Sequence, residues 1–121
     1  MHTSFEGITL HVSDMERSKA FYLRIPGATL LFERPSSYAI VGIGKARVGL
    51  LARGILATDS MAADEFHIEV GTDDLAALRA QLRAAGIEPV GPQPEQWGER
   101  GMVTRDPDGY IVEFDDHFGT A

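Results

Sequence analysis

The sequence predicts an α+β protein made of two βαβββ modules, whose curved mixed sheets wrap a cavity. Three observations carry this. The order strand, helix, three strands occurs twice. The two starts, Gly7-Ile8-Thr9-Leu10 running to Asp14-Met15 and His67-Ile68-Glu69-Val70 running to Asp74-Leu75, align at one constant offset. The last strand, Tyr110 to Asp115, carries carboxylates on one face and apolar side chains on the other. With 121 residues the chain is sized for a single domain. Module one is expected over about 5–53, a linker over about 54–64 and module two over about 65–116.

Each element has a local cause. Phe5 to Val12 alternates, with Ile8, Leu10 and Val12 on one face and Gly7, Thr9 and His11 on the other, as a half-buried strand does. Ser13-Asp14 suits a helix N-cap, with Glu16 in the first turn where the helix dipole favours it. Met15, Ser18, Phe21, Tyr22 and Ile25 follow at helical spacing, and Pro26-Gly27 stops the helix. Three strand-like runs come next, Ala28 to Glu33, Ser37 to Ile43 and Arg47 to Ala52, punctuated at Arg34-Pro35-Ser36 and Gly44-Lys45.

In the second half Glu65 to Val70 reads as a strand, and Thr72-Asp73-Asp74 caps a helix with the stripe Leu75, Leu78, Leu82 and Ala85. Gly86 ends it. Glu88 to Val90 reads as a short strand and Gly91 to Gly98 as a loop containing Trp97. Arg100 to Arg105 and Tyr110 to Asp115 form a hairpin around Asp106-Pro107-Asp108-Gly109. In that turn Pro107 pre-sets φ and Gly109 accepts φ > 0. Arg105 is expected to tie the hairpin.

Composition narrows the function. A net charge of −7 argues against nucleic acid as a partner. No apolar run approaches the roughly 20 residues of a membrane span, and residues 1–7 lack the basic and apolar blocks of a signal peptide. Without cysteine there is no disulfide, thiol nucleophile or thiolate metal site. A cytoplasmic location is the default expectation. No Gly-rich phosphate loop or Ser-His-Asp arrangement stands out, and Gly42-Ile43-Gly44 precedes no helix.

Three pieces of the chain, ITLHVSDMERSKAFYLRIPGATLLFE, FHIEVGTDDLAALRAQLRAAG and RDPDGYIVEF, together resemble the vicinal oxygen chelate superfamily. This is the group of glyoxalases, bleomycin resistance proteins and extradiol dioxygenases. The resemblance covers nearly the whole chain and implies the paired-module fold, a homodimer and a small-molecule ligand or substrate. In the family's enzymes it implies a divalent metal (Zn, Mn, Fe or Ni) held by His, Gln or Glu on the first and last strands of each module.

Carried over residue by residue, the ligand positions of module two match His67 and Glu113. Those of module one match Gly7 and either Gly49 or Leu51, none of which can ligate. His11 is the candidate third ligand, but it lies two strand steps of about 3.3 Å beyond position 7, against a nitrogen–metal bond of about 2.1 Å. Glu113 and His67 are therefore read as the polar centre, either a metal pair or a base and an acid. Thr9, His11, Tyr38, Glu69, Trp97 and Met102 are read as pocket lining. Asp115, near its strand end, is expected to be solvated.

Two functions stand against each other. One is a metal-independent protein that binds and sequesters a drug or metabolite. The other is an enzyme: a metal-dependent lyase, isomerase or dioxygenase acting on a substrate with vicinal oxygens, or a metal-free catalyst using Glu113 as base.

Overall fold

The structure is a computed structural model, and it describes residues 1–55, 63, 66–94 and 100–116. The chain divides into two compact units, Met1–Met61 and Ala62–Ala121. The first contains β1 (Gly7–Val12), α1 (Met15–Leu23), β2 (Thr29–Arg34), β3 (Tyr38–Ile43) and β4 (Ala46–Ala52). The second contains β5 (His67–Gly71), α2 (Leu75–Ala84), β6 (Val90–Pro94), β7 (Arg100–Arg105) and β8 (Ile111–Asp115). The units share one topology. Their four-stranded sheets run β1-β4-β3-β2 and β5-β8-β7-β6. In each, the first and last strands pair in parallel, β1 with β4 and β5 with β8, and the other neighbours pair antiparallel. This is the α+β, two-module βαβββ architecture that the repeat predicts. Among the described residues no helix is long and apolar enough to cross a membrane.

Both helices start the same way. Asp14 Oδ1 accepts from the Arg17 amide at 3.1 Å, and Asp74 Oδ1 accepts from the Ala77 amide at 3.0 Å. Each cap satisfies one of the amides that a helix start leaves without an intrahelical partner. In the first unit α1 packs against β3 and β4. It buries Phe21 and Tyr22, while Leu10, Val12, Ala39, Val41, Val48 and Leu50 are buried on the sheet. In the second unit Leu75, Leu78 and Leu82 are buried on the helix, and Ile68, Met102, Val112 and Phe114 on the sheet. Burying each large apolar side chain contributes about 1.5–3 kcal/mol, so this face specifies which way β1, β3, β4, β5 and β8 are turned.

One element departs from the sequence reading. Gly91 to Pro94 belongs to strand β6, where a loop is expected. Pro92 and Pro94 lack amide hydrogens, which argues against a central strand. However, β6 is an edge strand paired only with β7, and an edge tolerates proline. Arg79 on α2 donates to the Gly91 carbonyl and ties this edge to the helix. Residues 95–99, Trp97 among them, and most of the expected linker lie outside the described residues.

The turn before β8 is held from within. The buried Asp106 carboxylate accepts from the Asp108 and Tyr110 amides through Oδ1, both at 2.9 Å, and the Gly109 amide donates to the Asp106 carbonyl at 2.9 Å. Arg105 Nη1 donates to the Gly109 carbonyl at 2.7 Å, the tying role expected of it. An alanine at 106 leaves two amides to find new partners. Asp106→Ala is therefore expected to lose about 1–3 kcal/mol of stability, read as a lower urea midpoint at unchanged slope, whereas Asp106→Asn, which keeps an acceptor oxygen, recovers most of it.

Past α2, Arg83 Nε lies 2.9 Å from both Glu88 carboxylate oxygens. Hydrogen bonding from Arg83 holds the Glu88 carboxyl below its ordinary 4.5, against a smaller opposing effect of burial. A carboxyl whose folded value is depressed stabilises the fold above its unfolded value, and that stability is lost as pH falls through the folded one. Wild type is thus expected to be more stable than Glu88→Gln at neutral pH, with the difference in melting temperature vanishing on acidification below 4.5. The pair is exposed, so added salt shrinks the difference.

Candidate functional site

In the second unit, β8 lies between β5 and β7, and register decides what faces what. Glu113 stands opposite Glu69 on β5 and Val103 on β7, and Asp115 stands opposite Gly71 and Gly101. Residues directly opposite share a sheet face, so Tyr110, Val112 and Phe114 being buried leaves Glu113 and Asp115 on the other face. Ligating oxygens of Glu69, Glu113 and Asp115 lie within 4.8 Å of one another. His67 Nδ1 is 3.6 Å from Glu113 Oε1, with the imidazole 49% exposed and the glutamate side chain 15% exposed. The two residues carried over from the family resemblance are therefore neighbours, and Glu69 joins them.

Two expectations are corrected here. Asp115 is not solvated: it is 2% exposed, and Asp116 beside it is also buried. The Thr72 amide also donates to the Asp115 carbonyl at 2.8 Å and carries the ladder past the last residue of β5. Met102 does not line this face. It stands opposite Phe114 and is 0% exposed, so it belongs to the apolar core. β7 turns Met102 to the core because alternate residues face opposite sides of a strand and Met102 shares the side of Phe114.

In the first unit the equivalent face is built differently. Thr9 stands opposite Gly49, as Glu69 stands opposite Glu113. The structural counterpart of Glu113 is therefore Gly49 and not Leu51. Gly7 has φ +150°, and a Cβ there would lie 2.0 Å from the Arg47 carbonyl oxygen. At Gly49 a Cβ would lie 2.9 Å from Thr9 Oγ1 and 3.0 Å from the Tyr38 hydroxyl. A hollow of about 160 Å³ opens over these positions, lined by Thr9, Tyr38, Ile40, Arg47 and Glu6 among others. Arg47 and Glu6 form an ion pair at 3.2 Å. The sequence reading passed over both residues, although period-two alternation from Gly49 already puts Arg47 on this face. His11, also on β1, is half-buried opposite Leu51 in this first unit, whereas His67 and Glu113 belong to the second.

The chemistry of the two faces follows from their donors. Three carboxylates within 4.8 Å repel one another, and a cation placed among them relieves that repulsion. An all-oxygen set suits a hard divalent ion such as Mg²⁺, Mn²⁺ or Ca²⁺, with the His67 imidazole as an adjacent nitrogen donor. In the places corresponding to Glu69 and Glu113 the first unit has Thr9 and Gly49, so no carboxylate stands there.

Two βαβββ units, each with polar groups on one face of its sheet, define the class of fold. The family model for the Glyoxalase/Bleomycin resistance protein/Dioxygenase superfamily matches residues 4–114, and the chain belongs to that superfamily. Among similar solved structures is a bleomycin-binding protein complexed with bleomycin, at 22% identity and TM-score 0.73, covering 95% of this chain and 99% of that one. TioX from Micromonospora sp. ML1 is 27% identical, with TM-score 0.69 over 93% of this chain and 95% of its own. A lactoylglutathione lyase from Agrobacterium tumefaciens is 18% identical, with TM-score 0.75 over 98% and 96%. Comparison with curated protein sequences returns no match.

Glu113 stands among like charges, Glu69 and Asp115. Glu113→Gln is expected to raise stability by about 1 kcal/mol at low ionic strength, with the gain shrinking as salt is added. Thermal unfolding of both proteins across a salt series checks this.

Proposed function

We propose that the protein is a metal-independent small-molecule-binding member of its superfamily that sequesters a drug or metabolite. A positively charged group of that ligand sits against Glu69 and Glu113, with the buried Asp115 behind them. One observation carries the reading. The two first-unit positions matched to metal ligands are glycines and offer no donor: a Cβ at Gly7 would meet the Arg47 carbonyl, and one at Gly49 would crowd the Thr9 and Tyr38 hydroxyls. Of the positions carried over from the family's ligand set, His67 and Glu113 alone bear a ligating side chain, short of the three or so that a catalytic metal centre uses. The likeness to a protein solved with bleomycin adds support from the fold.

The measurement is a thermal-shift screen with bleomycin and a panel of cationic aromatic compounds, on protein dialysed against a chelator. A ligand that binds only the native state stabilises it by about 2.7 kcal/mol at a hundred times its Kd. Binding that survives chelation unchanged, and that weakens about tenfold in Glu69→Gln or Glu113→Gln, is the expected result. Binding lost on chelation and restored by a divalent ion would sink the reading.

The carboxylate cluster favours a second reading, a metal-dependent lyase, isomerase or dioxygenase whose substrate supplies further ligands through its own vicinal oxygens. That enzyme would retain about one equivalent of metal per chain when grown with added Zn, Mn or Fe, and would lose it in Glu113→Gln.

A further inference from the structure

We propose that the Asp108-Gly109 step in the turn before β8 is a modification site, at which Asp108 isomerises to isoaspartate at a rate that Asp106 controls. The inference rests on backbone chemistry at this turn and is independent of what either sheet face binds. The chain contains no asparagine and a single Asp-Gly pair, so the dipeptides that cyclise most readily reduce to this one.

The chemistry needs nothing beyond water. With the Asp108 carboxyl in its acid form, the Gly109 nitrogen attacks Cγ. An N–Cγ bond forms, the amide proton and the carboxyl hydroxyl leave as water, and a succinimide ring results. Water then opens the ring at either carbonyl. Opening at Cγ returns aspartate. Opening at the former backbone carbonyl gives isoaspartate, with the chain routed through Cβ and Cγ and lengthened by a methylene. Glycine has no side chain to block its own nitrogen. Among the described residues, the nearest atom outside its chain neighbours to a Cβ placed on Gly109 is Ala63 Cβ, at 3.9 Å, so the ring has room to form.

Geometry sets the rate, because both peptide planes that must turn are held. The Gly109 amide donates to the Asp106 carbonyl and the Asp108 amide to Asp106 Oδ1, both at 2.9 Å. The Gly109 carbonyl accepts from Arg105 Nη1 at 2.7 Å, and the Asp106 amide donates to the Tyr110 carbonyl at 2.9 Å. Ring closure takes the Gly109 nitrogen out of its hydrogen bond. It therefore draws on molecules in which the turn has opened, and the population of that open state fixes how fast isoaspartate forms. The added methylene lengthens a turn whose length sets the pairing of β7 with β8, the pairing that stands Glu113 opposite Val103.

The test follows isoaspartate at residue 108 by peptide mass spectrometry, in the full chain held at mildly acidic pH well below its melting temperature. Wild type is expected to accumulate it slowly. Asp106→Ala is expected to accumulate it about tenfold faster, and Asp106→Asn, which keeps an acceptor oxygen, at close to the wild-type rate. Arg105→Met loosens the turn without emptying its buried acceptor and is expected to be faster than wild type as well. Asp108→Glu, limited to the slower-forming glutarimide, is expected to show none. Leu82→Ala truncates the core and lowers stability without touching the turn; it is expected to stay near the wild-type rate, which separates local opening from global unfolding. The proposal is overturned if neither Asp106→Ala nor Arg105→Met is faster than wild type, if Leu82→Ala speeds the reaction as much as they do, or if isoaspartate gathers at other Asp residues and not at 108.

Discussion

The parallel pairing of the first strand of each unit with its last is the constraint on which the rest depends. It brings together residues far apart in the chain, Thr9 with Gly49 and Glu69 with Glu113. It also demands a crossover, which α1 or α2 and the antiparallel strands supply. Register within that pairing is held from the buried side. Sliding β8 by one residue would turn Phe114 and Val112 to water and Glu113 into the apolar core. The loss of apolar burial, at about 1.5–3 kcal/mol per large side chain, far exceeds anything the polar face could return. The polar face is therefore positioned by residues that take no part in its chemistry.

That division lets one scaffold carry two chemistries. The buried faces of the two sheets are built alike, from Leu10, Val48 and Leu50 in one unit and Ile68, Val112 and Phe114 in the other. The opposite faces differ. One has no side chains at Gly7 and Gly49 and bears a hollow edged by hydroxyls, and the other has three carboxylates beside an imidazole. Membership of a superfamily that holds both binding proteins and enzymes leaves such a difference to be read from the site itself.

Legibility in the sequence followed the range of the forces involved. Helix caps at Asp14 and Asp74, the turn at Asp106 to Gly109 and the alternation in β1 and β8 are decided by residues within a few positions of one another, and each could be read directly. Strand β6 could not, because Pro92 and Pro94 exclude a central strand but not an edge, and only pairing with β7 makes an edge. Met102 went to the wrong face because β7 has apolar or small residues on both faces, so its alternation carries little signal. Asp115 was expected in water because its sequence position is a strand end, whereas the sheet goes on past it: the amide of Thr72, far away in the chain, donates to its carbonyl.

By itself, then, the sequence determined the repeated element order, the caps, the tight turn into β8, the side of β8 that bears carboxylates and the superfamily resemblance. All of these rest on local periodicity, turn chemistry or motif. Tertiary structure alone decided that Gly49, rather than Leu51, is the counterpart of Glu113. It also decided that Glu69 and Asp115 join Glu113, and that the space beside Gly49 is claimed by the Thr9 and Tyr38 hydroxyls. The physical reason is that side-chain direction has a period of two residues and can be counted along a strand. Which strands are neighbours, in what register, and whose atoms fill the space above a glycine depend on packing between segments that the chain places far apart.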